Sequence, residues 1–271
     1  MTTWGEIRAN HPKNLKISPV AMIPHKSRSY RCILDLSFQL KVNNKRISSV
    51  NLATVLQAPK KSMAHLGMVI RRLIYMLADN YNTKYLFVFA KCDIKDGFWR
   101  MVVNMLDTWN FAYVLPAATP IKSIDNIEIV VPHALQMGWA ESPPFFCAAT
   151  ETGPDVIEVF YNKDNTLPPH PLEQHLLQEL LSHPVVTEPP QTKTAIEVYV
   201  DDFISCTNNT TIDNLTHLAR SMLHGINCLF PPPSVTGHSG EDPIAQKKLQ
   251  QLEGMFQYKK EVLGWDFDGA A

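Results

Sequence analysis

"AIEVYVDDFISC", residues 195–206, decides the reading of the chain. Its flanks are branched, aromatic and apolar, the composition of a buried strand. Its middle holds two adjacent acids, Asp201 and Asp202, which a buried strand excludes unless something compensates them. The run therefore reads as two strands, 195–200 and 203–206, folded back at a tip that carries the aspartates. Acids are ordinary in turns. Here, though, the apolar flanks put the tip at the edge of a buried sheet, and a second apolar run, "KYLFVFAKCDI" (84–94), also ends in a carboxylate, Asp93. If these strands are neighbours, three carboxylates meet at one sheet edge. Like charges so close stay protonated unless a cation joins them. Mg²⁺, a hard ion that takes oxygen ligands, resolves the repulsion. Two such ions about 3.5–4 Å apart clamp the attacking and leaving oxygens of a phosphoryl displacement. Because side chains alternate along a strand, Asp93 and Asp201 are expected as principal ligands and Asp202 as the secondary one. Asp96 is expected at a turn or helix start.

The 271 residues, 45% hydrophobic, suffice for a sizeable core in one large domain or two smaller ones. No apolar run reaches the roughly 20 residues of a membrane span. The start, "MTTWGEIRANHPKN", lacks a secretory pattern. The expectation is an intracellular protein, cytoplasmic with access to the nucleus, and no membrane partner. The five cysteines are scattered and odd in number, so buried free thiols are expected rather than a zinc site or disulfides. Net charge is −1, but it is unevenly spread. Residues 1–80 hold 13 Lys and Arg against 3 Asp and Glu, and residues 81–271 hold 12 against 23. A basic face for a polyanion beside an acidic region fits this asymmetry.

Along the chain, residues 1–30 read as an irregular arm and "YRCILDLSF" (30–38) as a strand. Met63, Leu66, Ile70, Leu73 and Leu77 are spaced for an amphipathic helix over 60–79. "FWRMVV" and "NFAYVL" read as a hairpin and "IEIVVP" (127–132) as a short strand. A helix is expected to begin in "ESPPFFCAATE" (141–151), with Ser142 as cap and Pro143 in the first turn. The proline-rich stretch 161–195, around the helical "LEQHLLQELL", reads as a peripheral insertion. "DNLTHLARSMLHGIN" (213–227) reads as a helix, 230–243 as a loop, and "EVLGWDFDG" (261–269) as a final strand or hairpin arm. This order predicts an α+β fold, an antiparallel sheet with helices on one face.

At this point the residues resemble a known family. "YVDD" (199–202) resembles the catalytic hairpin of reverse transcriptases. "CDIKDGFW" (92–99) resembles their preceding metal-binding motif, and "MGWAESPPFF" (137–146) the intervening G-x-x-x-S-P motif. "YRCILDLS" (30–37) resembles the basic fingers strand and "VLGWDF" (262–267) the hairpin that grips the primer. The five occur in the family's order, over roughly residues 15–268. "DIKDGFWRMVV" and "ALQMGWAESPPFFCAATET" resemble a retrotransposon polyprotein.

The resemblance implies a right-hand polymerase with a fingers-like basic part over 1–80 and a palm-like catalytic part over 81–271. The fingers return and the insertion would fall near 105–195, and a thumb is not expected within the chain. It implies an RNA-directed DNA polymerase fragment that transfers a nucleotide from a dNTP to a primer 3′-hydroxyl on an RNA or DNA template. Asp93, Asp201 and Asp202 would be catalytic and hold two Mg²⁺, with Mn²⁺ able to substitute and the Ile94 carbonyl as a further ligand. Arg31, with Lys26 or Arg28 nearby, would meet the dNTP triphosphate. Phe98 would lie against the sugar as a deoxyribose filter, and Gly138 would let backbone approach the nucleotide. Ser142 and Pro143 would start the helix under the template, and Gly264 and Trp265 would support the primer end. Partners would be template–primer, dNTP and the rest of a polyprotein, with its ribonuclease H and integrase. One departure is that Met137, not a glutamine, precedes Gly138, with Gln136 one place earlier; another is the leaving-group lysine, for which Lys247 and Lys248 are the candidates. The competing readings are a truncated, inactive retrotransposon remnant that at most binds nucleic acid, and a small α+β domain with acidic turns and no nucleic-acid role.

Overall fold

Val88–Asp93, Thr194–Tyr199 and Asp202–Thr207 pair into one antiparallel sheet in the computed structural model, which describes residues 1–24, 30–80, 83–163, 167–182, 188–236 and 241–270. In chain order the described strands are β1 Thr2–Thr3, β2 Ile17–Ser18, β3 Val20–Pro24, β4 Tyr30–Leu34, β5 Leu40–Val42, β6 Lys45–Ile47, β7 Val88–Asp93, β8 Ala112–Val114, β9 Glu128–Val130, β10 Thr194–Tyr199, β11 Asp202–Thr207, β12 Lys259–Val262 and β13 Trp265–Asp268. The α-helices are α1 Trp4–Ala9, α2 Val50–Ala53, α3 Val69–Ala78, α4 Ser142–Thr150, α5 Gly153–Tyr161, α6 Glu173–Ser182, α7 Ile212–Leu229, α8 Pro233–Thr236 and α9 Gln246–Gln250. None is long and apolar enough to cross a membrane. The chain forms two units, one of Met1–Ala58 with Phe98–Phe146, the other of Pro59–Gly97 with Cys147–Ala271.

The second unit carries the sheet β10–β11–β7. On one face Phe89, Ile204 and Cys206 pack with Val69 and Leu73 of α3 and with Val262 and Phe267 of the β12–β13 hairpin. The other face meets α5, where a Cβ on Gly153 would lie 2.4 Å from the Phe203 ring, so only glycine fits this contact. Helix α7 packs on α5, burying Leu215, Leu218, Met222 and Ile226 at helical spacing. Helices thus cover both faces, which corrects the expectation of one. On the α3 side the apolar contacts are joined by Glu197, a buried carboxylate on β10 held by a bidentate pair with Arg72.

The stretch read as a peripheral insertion is also corrected in part. Leu176 of α6 is fully buried, its carbonyl accepts from Phe256 N–H, and Arg220 of α7 pairs with Glu173. The helix expected over 60–79 is α-helical only as α3. Lys60–Met68 is a 3₁₀ segment without a buried residue, since lysines, Ser62 and Gly67 interrupt its apolar stripe. The loop over 230–243 contains the short α8, and residues 237–240 lie outside the described ones.

In the first unit the arm read as irregular is structured. Thr3 caps α1 in a reciprocal capping box with Glu6, and β3 pairs with β4 across Val20–Leu34 to Pro24–Tyr30. The expected hairpin of "FWRMVV" with "NFAYVL" does not form. Asp96 adopts φ 55° and turns the chain into a 3₁₀ segment at Gly97–Arg100, after which Val102 bridges Ala134. β8 instead joins β9 and, in parallel, β2 in the sheet β1–β9–β8–β2. Leu36, Val50 and Phe111 form a small core with Trp139 packed on it.

Candidate metal centre

Register places the acids. β10 and β11 pair from Thr194–Thr207 to Tyr199–Asp202, leaving Val200 and Asp201 as a two-residue turn. β11 pairs with β7 so that Asp202 stands directly opposite Asp93. The Ile94 N–H then donates to the Asp201 carbonyl at 2.9 Å, closing the turn onto the end of β7. One oxygen from each of Asp93, Asp201 and Asp202 lies within 4.8 Å of the others. Among the described residues this is the one such group of three or more metal-ligating side chains. Val200 holds φ 58°. For a β-branched residue this costs about 1–3 kcal/mol, and the turn keeps it because the strands on either side are paired to its base.

The electrostatics are those of an edge short of positive charge. Burial pushes all three carboxyl groups above the usual carboxylate range, and their mutual repulsion adds to it. Two lysines oppose that shift. Pro243–Ala245 continues the edge of β7, Lys95 N–H donating to Pro243 O and Ala245 N–H to Asp93 O, and so leads into α9. Helix α9 brings the Lys248 ammonium 3.0 Å from Asp93. Burial alone would lower the pKa of Lys248, but Asp93, Asp202 and Glu253 outweigh it and raise it. Lys91, two residues before Asp93 on the same face, lies 4.0 Å from both Asp202 and Glu253, too far for a hydrogen bond. Asp202 Oδ1 is consequently buried without a hydrogen-bond partner. Hard oxygen donors, an orphaned carboxylate oxygen and raised pKa values together fit a divalent cation held by these residues.

The other expected site residues are divided between the two units. In the first unit, Arg31 is exposed on β4 with its guanidinium against the Met137 sulfur. Lys26 and Arg28 lie outside the described residues. Phe98 is half-buried, its ring 5.0 Å from that of Phe146. Gly138 adopts φ +96°, a conformation that favours glycine, and its carbonyl accepts from Asn51 Nδ2 at 2.9 Å. Gln136 is buried and donates to Ala134 O. Helix α4 starts at Ser142 with half-buried Pro143 next, but the Ser142 hydroxyl donates back to the Gln136 carbonyl at 2.8 Å. In the second unit, Leu263 and Gly264, both at positive φ, make the turn of the β12–β13 hairpin. Trp265 is 63% exposed, not a core residue. Of the cysteines, Cys92, Cys147 and Cys206 are buried, with burial pushing Cys92 up to about 12, while Cys32 and Cys228 are exposed.

Lys91 and Glu253 join the site unexpectedly, and Lys248, one of the two candidate lysines, is the one that meets Asp93. A lysine inside the apolar run before Asp93 was the available signal for Lys91. No family model matches the chain, and no curated protein matches it. Two solved structures resemble it distantly. The foamy viral protease-reverse transcriptase dRH in complex with ds DNA is 14% identical, with TM-score 0.45, over 94% of this chain and 30% of that one. The foamy viral protease-reverse transcriptase in complex with RNA/DNA hybrid is 14% identical, with TM-score 0.42, over 95% of this chain and 23% of that one. The chain thus spans less than a third of either. So distant a likeness decides nothing about activity.

Proposed function

We propose that the chain is a metal-dependent nucleotidyl transferase. Its particular reaction, on this reading, is RNA-directed DNA synthesis, as a fragment of a retrotransposon reverse transcriptase. The observation that carries it is the register that opposes Asp93 to Asp202 and puts Asp201 in the turn, gathering three oxygens within 4.8 Å. The reaction joins the primer 3′-oxygen to the α-phosphorus of a dNTP as the bond to pyrophosphate breaks. Asp93, Asp201 and Asp202, with the Ile94 carbonyl, would hold two Mg²⁺ or Mn²⁺. Bound there, the ions supply charge stabilisation for the attacking and leaving oxygens.

The remaining roles belong to the same proposal. Arg31, exposed and bearing a fork of donors, suits a triphosphate, with Lys26 beside it in sequence. Phe98 is the deoxyribose filter, Gly138 the close backbone approach, Ser142 and Pro143 the template-side helix start, and Gly264 and Trp265 the primer support. Residues 1–80 would serve as fingers and 81–271 as palm, working with template–primer and with the ribonuclease H and integrase of a polyprotein.

A second reading, an inactive remnant that at most binds nucleic acid, is favoured by one observation: the Lys248 ammonium already neutralises Asp93. Primer extension on an RNA template with Mg²⁺ or Mn²⁺ separates the two. The polymerase reading expects extension by the parent and none by Asp93→Asn or Asp201→Asn. A parent that binds primed template but does not extend it supports the remnant, and activity retained in both variants rejects the site.

A further inference from the structure

We infer that the β5–β6 hairpin is a nucleic-acid-binding ribbon that grips the phosphate backbone. The inference rests on the nucleic-acid partner of the preceding reading but not on its chemistry. The hairpin, "LKVNNKRI" (40–47), holds three cations and no acid. Asn43 and Asn44, at φ 49° and 61°, make a tight two-residue turn of the kind whose twist matches the strands. Pairing runs Leu40–Ile47, Lys41–Arg46 and Val42–Lys45. Directly opposed residues share a face, so Lys41 and Arg46 stand side by side on one face, and Leu40, Ile47, Val42 and Lys45 occupy the other.

This arrangement is poor for a free protein. All six strand residues are exposed, and the two strands pair with no third among the described ones. An isolated two-stranded hairpin is marginal in water. Like charges directly opposite, with side chains starting about 5 Å apart, destabilise it further. Among the described residues none of the three cations has an ion-pair partner. The segment that carries the hairpin is nevertheless closed at its ends: Asn51 N–H donates to Leu36 O at 3.0 Å and Asn51 Nδ2 to Ser37 Oγ at 2.9 Å, with Leu36 and Val50 in the core. A ribbon anchored through its flanks, with unneutralised, paired cations on one face and an apolar face beside a third cation, complements a polyanion that also offers sugar and base surface. A nucleic acid has both.

The test measures binding of the full chain to a labelled primed DNA duplex by fluorescence anisotropy, without divalent metal, across a salt series. Each phosphate contact steepens the log–log salt dependence by about 0.9, equal to about 8-fold in affinity near 0.1 M salt. Lys41→Gln/Lys45→Gln/Arg46→Gln should therefore flatten the slope by about 2–3 and weaken binding by up to about 500-fold. A control that removes three exposed lysines elsewhere, at Lys84, Lys122 and Lys163, should change the slope far less. Lys41→Arg/Lys45→Arg/Arg46→Lys should keep the parental slope, which a merely unfolded hairpin would not explain. An unchanged slope in the first variant, an equal loss in the control, no duplex binding by the parent, or hairpin-dependent binding to anionic vesicles but not to duplex each overturns the inference. Failure of primer extension leaves these outcomes as they are, so the two readings fail separately.

Discussion

Replacing Asp201 by the isosteric, neutral asparagine should stabilise the protein when metal is withheld. Its carboxylate oxygen lies within 4.8 Å of one from each of Asp93 and Asp202. At an effective dielectric of about 20, each such pair repels by about 3.5 kcal/mol when both are ionised. Lys248 and Lys91 offset part of this for Asp201, though neither forms an ion pair with it. A net gain of about 2 kcal/mol is the expected scale, or roughly 4–8 °C in Tm for a chain of this size. Scanning calorimetry at pH 7 in chelator is the assay. Adding Mg²⁺ should then raise the Tm of the parent more than that of Asp201→Asn, because metal bound only by the folded state stabilises it by mass action. The pH dependence has a definite sign. All three carboxyls have folded pKa values raised above their unfolded ones, so their ionisation destabilises the fold. In chelator their contribution is gained as pH falls through the folded values and lost as it rises, and Asp201→Asn should show a shallower trend. A Tm in chelator that is unchanged or lower in the variant would refute the account of an edge short of positive charge.

Two further predictions test the scaffold of the second unit. Gly153→Ala drives a Cβ to 2.4 Å from the buried ring of Phe203, the residue after Asp202, and should cost about 1–3 kcal/mol in urea unfolding despite the better helix propensity of alanine. His170 is held near 4, below its ordinary 6.5, chiefly by burial and then by His224. Between those values the unfolded chain takes up the proton first, so stability is lost as pH falls, by about 3 kcal/mol in total. The stability difference between the parent and His170→Gln, followed by urea unfolding from pH 7 to 4, should shrink by that amount, and a constant difference would reject it.

What could be read ahead of the structure was local. The apolar runs on either side of Asp201 and Asp202 located β10 and β11, the branched and aromatic run ending at Asp93 located β7, and the Ser-Pro pair located the start of α4. The three- and four-residue spacing in 213–227 located α7. What escaped was set by partners distant in sequence. "FWRMVV" has strand composition, yet Asp96 turns it away and Val102 bridges Ala134. Residues 17–24 looked irregular because their pairing partners, in β8 and β4, supply the regularity.

The candidate site divides the same way. Residue order alone places three carboxylates at the ends of apolar strands, because burial forbids unpaired acids except at such ends. The packed fold alone sets Asp202 opposite Asp93 across β11 and β7, Arg72 of α3 against Glu197, and Lys248 of α9 against Asp93. A one-residue shift in the register of a strand would turn its carboxylate, be it Asp93, Asp202 or Glu197, to the opposite face, and register is settled by the packing of the whole core rather than by any stretch read alone.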